Sequence, residues 1–241
     1  MSEKIKVTFY NEYIEEMKDP AAVKVYPNGM HNTIKEALEK NPDFEVTTVT
    51  MLMPDCGLTQ ELLDNTDVLL WWGHGHHGDV SDAAARRVKL RVLDGMGFIP
   101  LHSAHMSKPF MSLMGTSCRL HWCDDQKEVM WTVIPSHPIA KGVPEYFVLD
   151  SEEMYGEPFG IPNPDEVVFI GWFNHGSVFR SGVTYKRGNG KIFYFQPGHQ
   201  SNTSFHNPHV QRILENAIYW AKSDFPVVQQ EDYFAADTIK L

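Results

Sequence analysis

Asp67 to Asp79 reads DVLLWWGHGHHGD, and Phe98 to His105 reads FIPLHSAH. Each is a short apolar run that breaks directly into a histidine cluster. Val68 to Trp72 is continuously apolar, the pattern of a strand buried on both faces of a parallel sheet. Between the two runs, Ala84, Val88 and Val92 recur at helical spacing, with Asp79 placed to cap the helix and Gly95 to end it in a left-handed turn. A strand, a helical crossover and a second strand make parallel neighbours. In such a sheet the carboxyl ends of the strands share one edge, and ligands bind in the crevice there. His74, His76, His77, His102 and His105 are therefore expected on a single rim. Imidazoles gathered there point to a metal or acid–base centre, because histidine is the commonest metal ligand and titrates nearest neutrality.

Working outward, Ile5 to Tyr10 reads as a strand, Asn28 to Lys40 as a helix with Ile34 and Leu38 one turn apart, Phe44 to Val49 as a strand and Thr59 to Leu63 as a short helix. The first half is thus βαβαβ. Beyond Lys108 the alternation weakens: Trp131 to Pro135, Tyr146 to Leu149, Val167 to Phe173, Gly182 to Lys186 and Lys191 to Phe195 read as strands without intervening helices. Antiparallel additions are expected in this half, with Asn189-Gly190 as a type I′ hairpin turn. Pro208 to Lys222, started by Asn207, traces an amphipathic helix through Val210, Ile213, Leu214, Ala217, Ile218 and Ala221. The organisation expected is one α/β domain over residues 1–223 and a polar tail over 224–241.

Composition narrows the function. The 241 residues carry 21 Lys and Arg against 31 Asp and Glu, a formal charge of -10, so the electrostatic footprint of a nucleic-acid binder is missing. No apolar run approaches the length of a bilayer span, and MSEKIKVTFY lacks the layout of a signal peptide. A cytoplasmic protein with neither nucleic-acid nor membrane partners is expected. Cys56, Cys118 and Cys123 read as free thiols, and a thiol hydrolase is disfavoured because neither Cys118 nor Cys123 lies at the strand-end turn.

A transition-metal centre needs three or four donors converging on one point. An extended chain after Trp72 sends His74 and His76 to opposite sides, so one of them can join His102 from the adjacent strand end. His199 in FQPGHQSN, Glu152 or Glu153 in LDSEEMYGE, and His31 just inside the first long helix are the further candidates. The metal set is drawn from His74, His76, His102 and His199, with zinc the first choice of cofactor and no nucleotide expected. His102, His199 and Glu153 are the expected catalytic groups; Trp72, His31, Ser103 and His105 are expected to touch substrate. Trp71, Trp72, Trp122, Trp131 and Trp172 flank these positions. Tryptophans are usually core or interface residues, but an aromatic wall with a few polar groups also suits a sugar. His121, His137, His206 and His209 stand in turns or at a helix start, where nothing nearby suggests chemistry.

These rim residues also carry a resemblance. GFIPLHSAH, the upstream WWGHGHHGD and the downstream KIFYFQPGHQ with its final helix resemble the ThuA family, named for trehalose utilization and similar in fold to class I glutamine amidotransferases. The resemblance spans Lys6 to about Ala221 and implies a flavodoxin-like three-layer sandwich. Amidotransferases place a cysteine on the turn after the strand, in a pattern like G-x-C-x-G-H, where this chain reads Leu101-His102-Ser103-Ala104-His105. Their downstream H-P-E corresponds to Gln196-Pro197-Gly198. With nucleophile and base both missing, glutaminase activity is not expected. Ser103 as a substitute nucleophile would have only His102 or His105 to activate it. The resemblance implies a carbohydrate-processing enzyme, a hydrolase, lyase or isomerase acting on a sugar or keto-sugar. Such an enzyme would use a metal to polarise a ketone or activate water, or the histidines alone to move protons. The alternative is a non-catalytic sugar-binding protein on the same scaffold. Self-association into a homo-oligomer is also expected.

Overall fold

The computed structural model describes residues 3–223; the tail expected over 224–241 lies outside the described residues. One sheet contains β1 (Ile5–Asn11), β2 (Phe44–Thr50), β3 (Val68–Trp72), β4 (Gly97–Leu101), β5 (His121–Thr132), β6 (Tyr146–Gly156), β7 (Glu166–Phe173), β8 (Val178–Arg187) and β9 (Gly190–Phe195). The helices are α1 (Glu15–Lys18), α2 (Pro20–Val25), α3 (Met30–Leu38), α4 (Gln60–Asp64), α5 (Asp82–Asp94), α6 (Lys108–Met114) and α7 (Pro208–Ala221). Across the sheet the order is β2-β1-β3-β4-β9-β8-β7-β5-β6. The first five strands in this order are parallel and the last four extend the sheet in antiparallel fashion. The parallel part follows the flavodoxin-like order.

The apolar run of β3 is explained by burial on both faces. Its period of two sends Leu70 and Trp72 into a core shared with α3 and α7, and Leu69 and Trp71 into a second core shared with α5 and α6. β4 splits in the same way, with Ile99 and Leu101 on one side and Phe98 on the other. Each large side chain taken wholly out of water contributes about 1.5–3 kcal/mol, so these two strands fix the middle of the sheet.

Several local expectations change. The cap of α5 is Ser81, whose Oγ accepts the Ala84 N–H at 3.1 Å, rather than Asp79. A 3-10 turn over His77–Asp79 and an extended Val80 move the helix start past Asp79, which bonds the His76 ring instead. Gly95 does end α5, at φ 131°. The β8–β9 hairpin turns on Gly188-Asn189, because Arg187 pairs with Gly190 as the last rung of the ladder. Of those two central residues only Gly188 has positive φ, so the turn is not type I′. The helix read over Asn28 to Lys40 is the shorter α3, and α6, capped by Ser107, has no counterpart among the expected elements. β5 and β6 are far longer than the expected strands, with irregular register between Cys123 and Glu128. Such bulges bend strands, and here the outer half of β6 reaches over the carboxyl edge of β4, where Tyr155 Oη lies 2.9 Å from Ser103 Oγ.

Candidate active site

The carboxyl ends of β1, β3, β4 and β9 meet the distal part of β6 around a cavity of 740 Å³, whose wall includes His74, His77, His105, Glu153, Tyr155 and His199. The loop after β3 is held by Glu12, the residue following β1. Its buried carboxylate accepts the backbone N–H groups of His74 at 2.9 Å, Gly75 at 3.1 Å and His76 at 2.9 Å. The loop after β9 is held in the same way by Glu152 of β6, which accepts the N–H groups of Gly198 and His199, each at 3.0 Å, and the hydroxyl of Ser204. Two wholly buried carboxylates thus take up backbone donors that the loops themselves leave unpaired.

With the loops fixed, three imidazoles cluster, two stacked and one edge-on. The His74 ring lies within 11° of parallel to both Trp72 and His102, at 6.2 and 6.1 Å, and His199 presents its edge to His74 at 5.2 Å and to His102 at 5.5 Å. One ligand atom each from His74, His199 and Glu153 lie within 4.8 Å of one another.

His102 stands behind this group. It has the left-handed φ of 54° at the turn after β4, and its ring is wholly buried. Nδ1–H donates to the Gln196 carbonyl at 2.9 Å, and Nε2 lies 2.8 Å from Glu153 Oε2. Tyr155 Oη lies 3.3 Å from the same Nε2, and the carboxylate beside the ring favours its charged form. Burial works against the charged ring, but the bond to Glu153 and the charges of Glu153 and Glu152 outweigh it and raise the His102 pKa. Burial likewise works against an ionised Glu153, and the bond and charge of His102 overcome it, holding the carboxyl down at about 2.

Burial disfavours the charged form of the imidazoles that line the cavity. Burial, then the charge on His102, lowers the pKa of His74 and takes that of His199 down to about 3. Burial lowers His77 to about 4 and His105 to about 3. His105 Nδ1–H donates to the Cys118 carbonyl at 2.7 Å.

The structure therefore brings together His74, His199 and Glu153 at the cavity, with Ser103 and His105 also on its wall. Four expected site residues are placed otherwise. His102 sits behind the cavity, with Nδ1 bonded to the Gln196 carbonyl and Nε2 against Glu153. His76 turns to the far side of the loop, as strand alternation allows, and binds Asp79 at 2.7 Å and Glu15 at 3.2 Å. His31 is buried against Asn11 and Tyr13. Trp72 is wholly buried, and its Nε1–H donates to the Gly198 carbonyl at 2.9 Å, which braces the His199 loop from below. Sequence reasoning passed over Glu12 and Tyr155. An acidic residue immediately after a buried strand was the available signal for Glu12; the curvature that brings Tyr155 inward leaves none.

A family model described as ThuA, trehalose utilisation, matches residues 6–221. The chain belongs to the ThuA family. A protein of Parabacteroides merdae described as ThuA-like is 16% identical to it, with a TM-score of 0.70 over 93% of this chain and 92% of that one. A second protein described as ThuA-like, from Bacteroides uniformis, is 18% identical, with a TM-score of 0.63 over 90% of each chain. A Salmonella typhimurium protein described as Cytoplasmic Protein STM3548 is 14% identical, with a TM-score of 0.62 over 91% of this chain and all of that one. A comparison with curated proteins gives no match. This ThuA-family chain has a flavodoxin-like α/β fold shared with the ThuA-like structures, and no helix among its described residues is long and apolar enough to cross a membrane.

Proposed function

We propose that this ThuA-family protein is a cytoplasmic carbohydrate-processing enzyme, acting on a sugar or keto-sugar through a divalent metal held by His74, His199 and Glu153, with zinc the first choice. The observation that carries the reading is the convergence of these three donors within 4.8 Å on the wall of a 740 Å³ cavity. The residues fit such an ion. Ligation requires neutral imidazoles and an ionised carboxylate, the states that burial and the His102 charge impose on this trio. Two histidines and one carboxylate also match a catalytic zinc set that leaves a position open. Ser201 Oγ lies 2.8 Å from His199 Nδ1 and the Ser201 backbone N–H donates to the same nitrogen at 3.4 Å, which orients the ring and leaves Nε2 as its unengaged nitrogen. A metal bound there supplies Lewis acidity toward a carbonyl oxygen or a hydroxide at neutral pH.

The chain's own residues do the rest. His102 holds Glu153 by their close ion-pair contact, without lining the cavity. His105 and Tyr155 offer polar atoms to sugar hydroxyls, and Trp122, 61% exposed on the wall, offers a ring face. A pKa of about 3 makes His199 a poor base at neutral pH, which favours ligation over unaided proton abstraction. Glutaminase chemistry has no support here: His102 occupies the turn where a thiol would be needed, and both its nitrogens are engaged.

The test is metal content of protein purified without added metal, together with turnover of a panel of sugars and keto-sugars by the native chain, His74→Ala and Glu153→Ala. Stoichiometric metal and turnover, both lost in the variants, are expected. Absence of metal with turnover unchanged in the variants would remove the reading. Tight sugar binding without product in the native chain would replace the enzyme by a binding protein.

A further inference from the structure

The cavity wall carries one permanent cation. Among the described residues that line it, Arg119 is the sole lysine or arginine, and it shares the wall with Asp124 and Asp125. The base of its side chain is fixed. The Arg119 carbonyl accepts the Gly160 N–H at 2.8 Å, and the Cys118 N–H donates to the Gly160 carbonyl at 3.0 Å. A Cβ on Gly160 would stand 3.3 Å from the Arg119 backbone nitrogen and oxygen, so the close approach uses the glycine. The preceding carbonyl, that of Cys118, takes the Nδ1–H of His105, another residue of the wall. The tip of the side chain is left over. Elsewhere the guanidinium groups are engaged: Arg87 pairs with Asp55, Arg91 with Asp64, Arg180 with Glu157 and Arg212 with Glu215, and Arg187 donates to two carbonyls. Arg86, exposed along α5, and Arg119 have no such partner among the described residues. Asp124 and Asp125 lie on the same wall without pairing to Arg119.

We infer that Arg119 sets the substrate class: the sugar that this site takes, on the function proposed above, is an acid whose carboxylate the guanidinium binds. A guanidinium is charged at every physiological pH and presents its donors in a planar fork that matches the two oxygens of a carboxylate. A neutral sugar leaves that fork to water, whereas a carboxylate completes it with charge-assisted bonds inside a concave site. The neighbouring acids limit how much negative charge the wall accepts. A carboxylate brings one negative charge and a phosphate nearly two at neutral pH. One guanidinium beside Asp124 and Asp125 offsets the first but not the second. The class is therefore a monoanionic sugar acid such as a uronate, rather than a sugar phosphate. Its ring can lie on the exposed Trp122, also on the wall, with the carboxylate at Arg119.

Calorimetric titration of the full chain with D-glucuronate, D-glucose and D-glucose 6-phosphate tests this. Glucuronate is expected to bind at least ~10-fold more tightly than the other two, the gain that hydrogen bonds between charged groups allow. Arg119→Gln should bring glucuronate down to the level of glucose with metal content and Tm unchanged. Arg119→Lys keeps the charge without the fork and should recover part of the preference. Equal affinity for glucuronate and glucose, or no saturable binding of glucuronate, overturns the inference. So does a preference that survives Arg119→Gln, which would place the carboxylate on the metal, and so does tighter binding of glucose 6-phosphate than of glucuronate. A metal-free chain whose preference for glucuronate depends on Arg119 would keep this inference and remove the metal centre; a metal-loaded chain without the preference would do the reverse.

Discussion

The Glu12 carboxylate accepts the backbone N–H of His74 at 2.9 Å, so the position of one imidazole in the site is set by an acid that never reaches the cavity. Glu12→Gln keeps the shape but replaces one accepting oxygen by a donor that faces N–H groups. The loop should loosen and the His74 ring should leave its stack. Zinc affinity is expected to fall by the roughly 10–100-fold typical of groups that orient metal ligands, measured by competition with a chromophoric chelator. Unchanged affinity would show that the loop holds its form without the carboxylate.

Gly198 makes a second prediction, on the opposite loop. Its φ is 132°, and a Cβ there would overlap the Phe205 ring. Its carbonyl also accepts the Trp72 indole N–H. Gly198→Ala must therefore shift the backbone next to His199, combining positive-φ strain with a clash in the core. A loss of about 2 kcal/mol is expected, seen as a drop in Tm of roughly 4–8 °C. A variant with unaltered Tm and zinc affinity would refute the account of how His199 is held.

The same loops show how much could be read from the chain. β3 and β4 were legible because burial on both faces leaves short apolar runs, and the helical spacing between them marks a crossover. Their position put His74 and His102 at one edge, and KIFYFQPGHQ added His199. The sequence could not separate the roles of His74 and His76, since the side of the loop each faces depends on Glu12, which lies over sixty residues away in the chain. His102, from its place after a strand, was expected among the metal ligands of the rim. The reach of β6 depends on the bulges between Cys123 and Glu128, and only that reach brings Glu153 and Tyr155 over the ring and buries it. The placement of Trp131 and Trp172 was equally hidden, because the sequence left them as core, interface or sugar-wall residues until the ladder set them on the same side of the sheet as Tyr146.

Thiol chemistry should be dispensable. Burial pushes the Cys118 pKa up, and burial with the nearby Asp124 and Glu153 charges raises that of Cys123, whose Sγ lies 3.9 Å from His175 Nε2. Both shifts favour the unreactive thiol over the thiolate. Cys118→Ala and Cys123→Ala are expected to retain full turnover of any sugar the native chain processes, and iodoacetamide should react slowly at pH 7. Loss of turnover in a folded Cys123→Ala variant would bring a sulfur nucleophile back into consideration.

The final prediction concerns acid stability, where His105 can be isolated from the ligand set. Its ring packs against Tyr155, Phe159 and Tyr194, and burial lowers its pKa from 6.5 to about 3. Below pH 6.5 the unfolded chain takes up a proton at this position that the folded chain refuses until pH falls to about 3. The unfolded state thus binds more protons across that window, so stability rises with pH within it and falls on acidification. One such group gives a slope of about 1.4 kcal/mol per pH unit where the unfolded imidazole is fully charged and the folded one is neutral. His105→Gln removes the titration while retaining a donor for the Cys118 carbonyl. Urea unfolding at pH 6 and pH 4.5 should show a smaller loss of stability in the variant than in the native chain, since His77 and His199 contribute equally to both. An identical loss in the two proteins would mean that the His105 ring takes up its proton in the folded state as readily as in the unfolded chain.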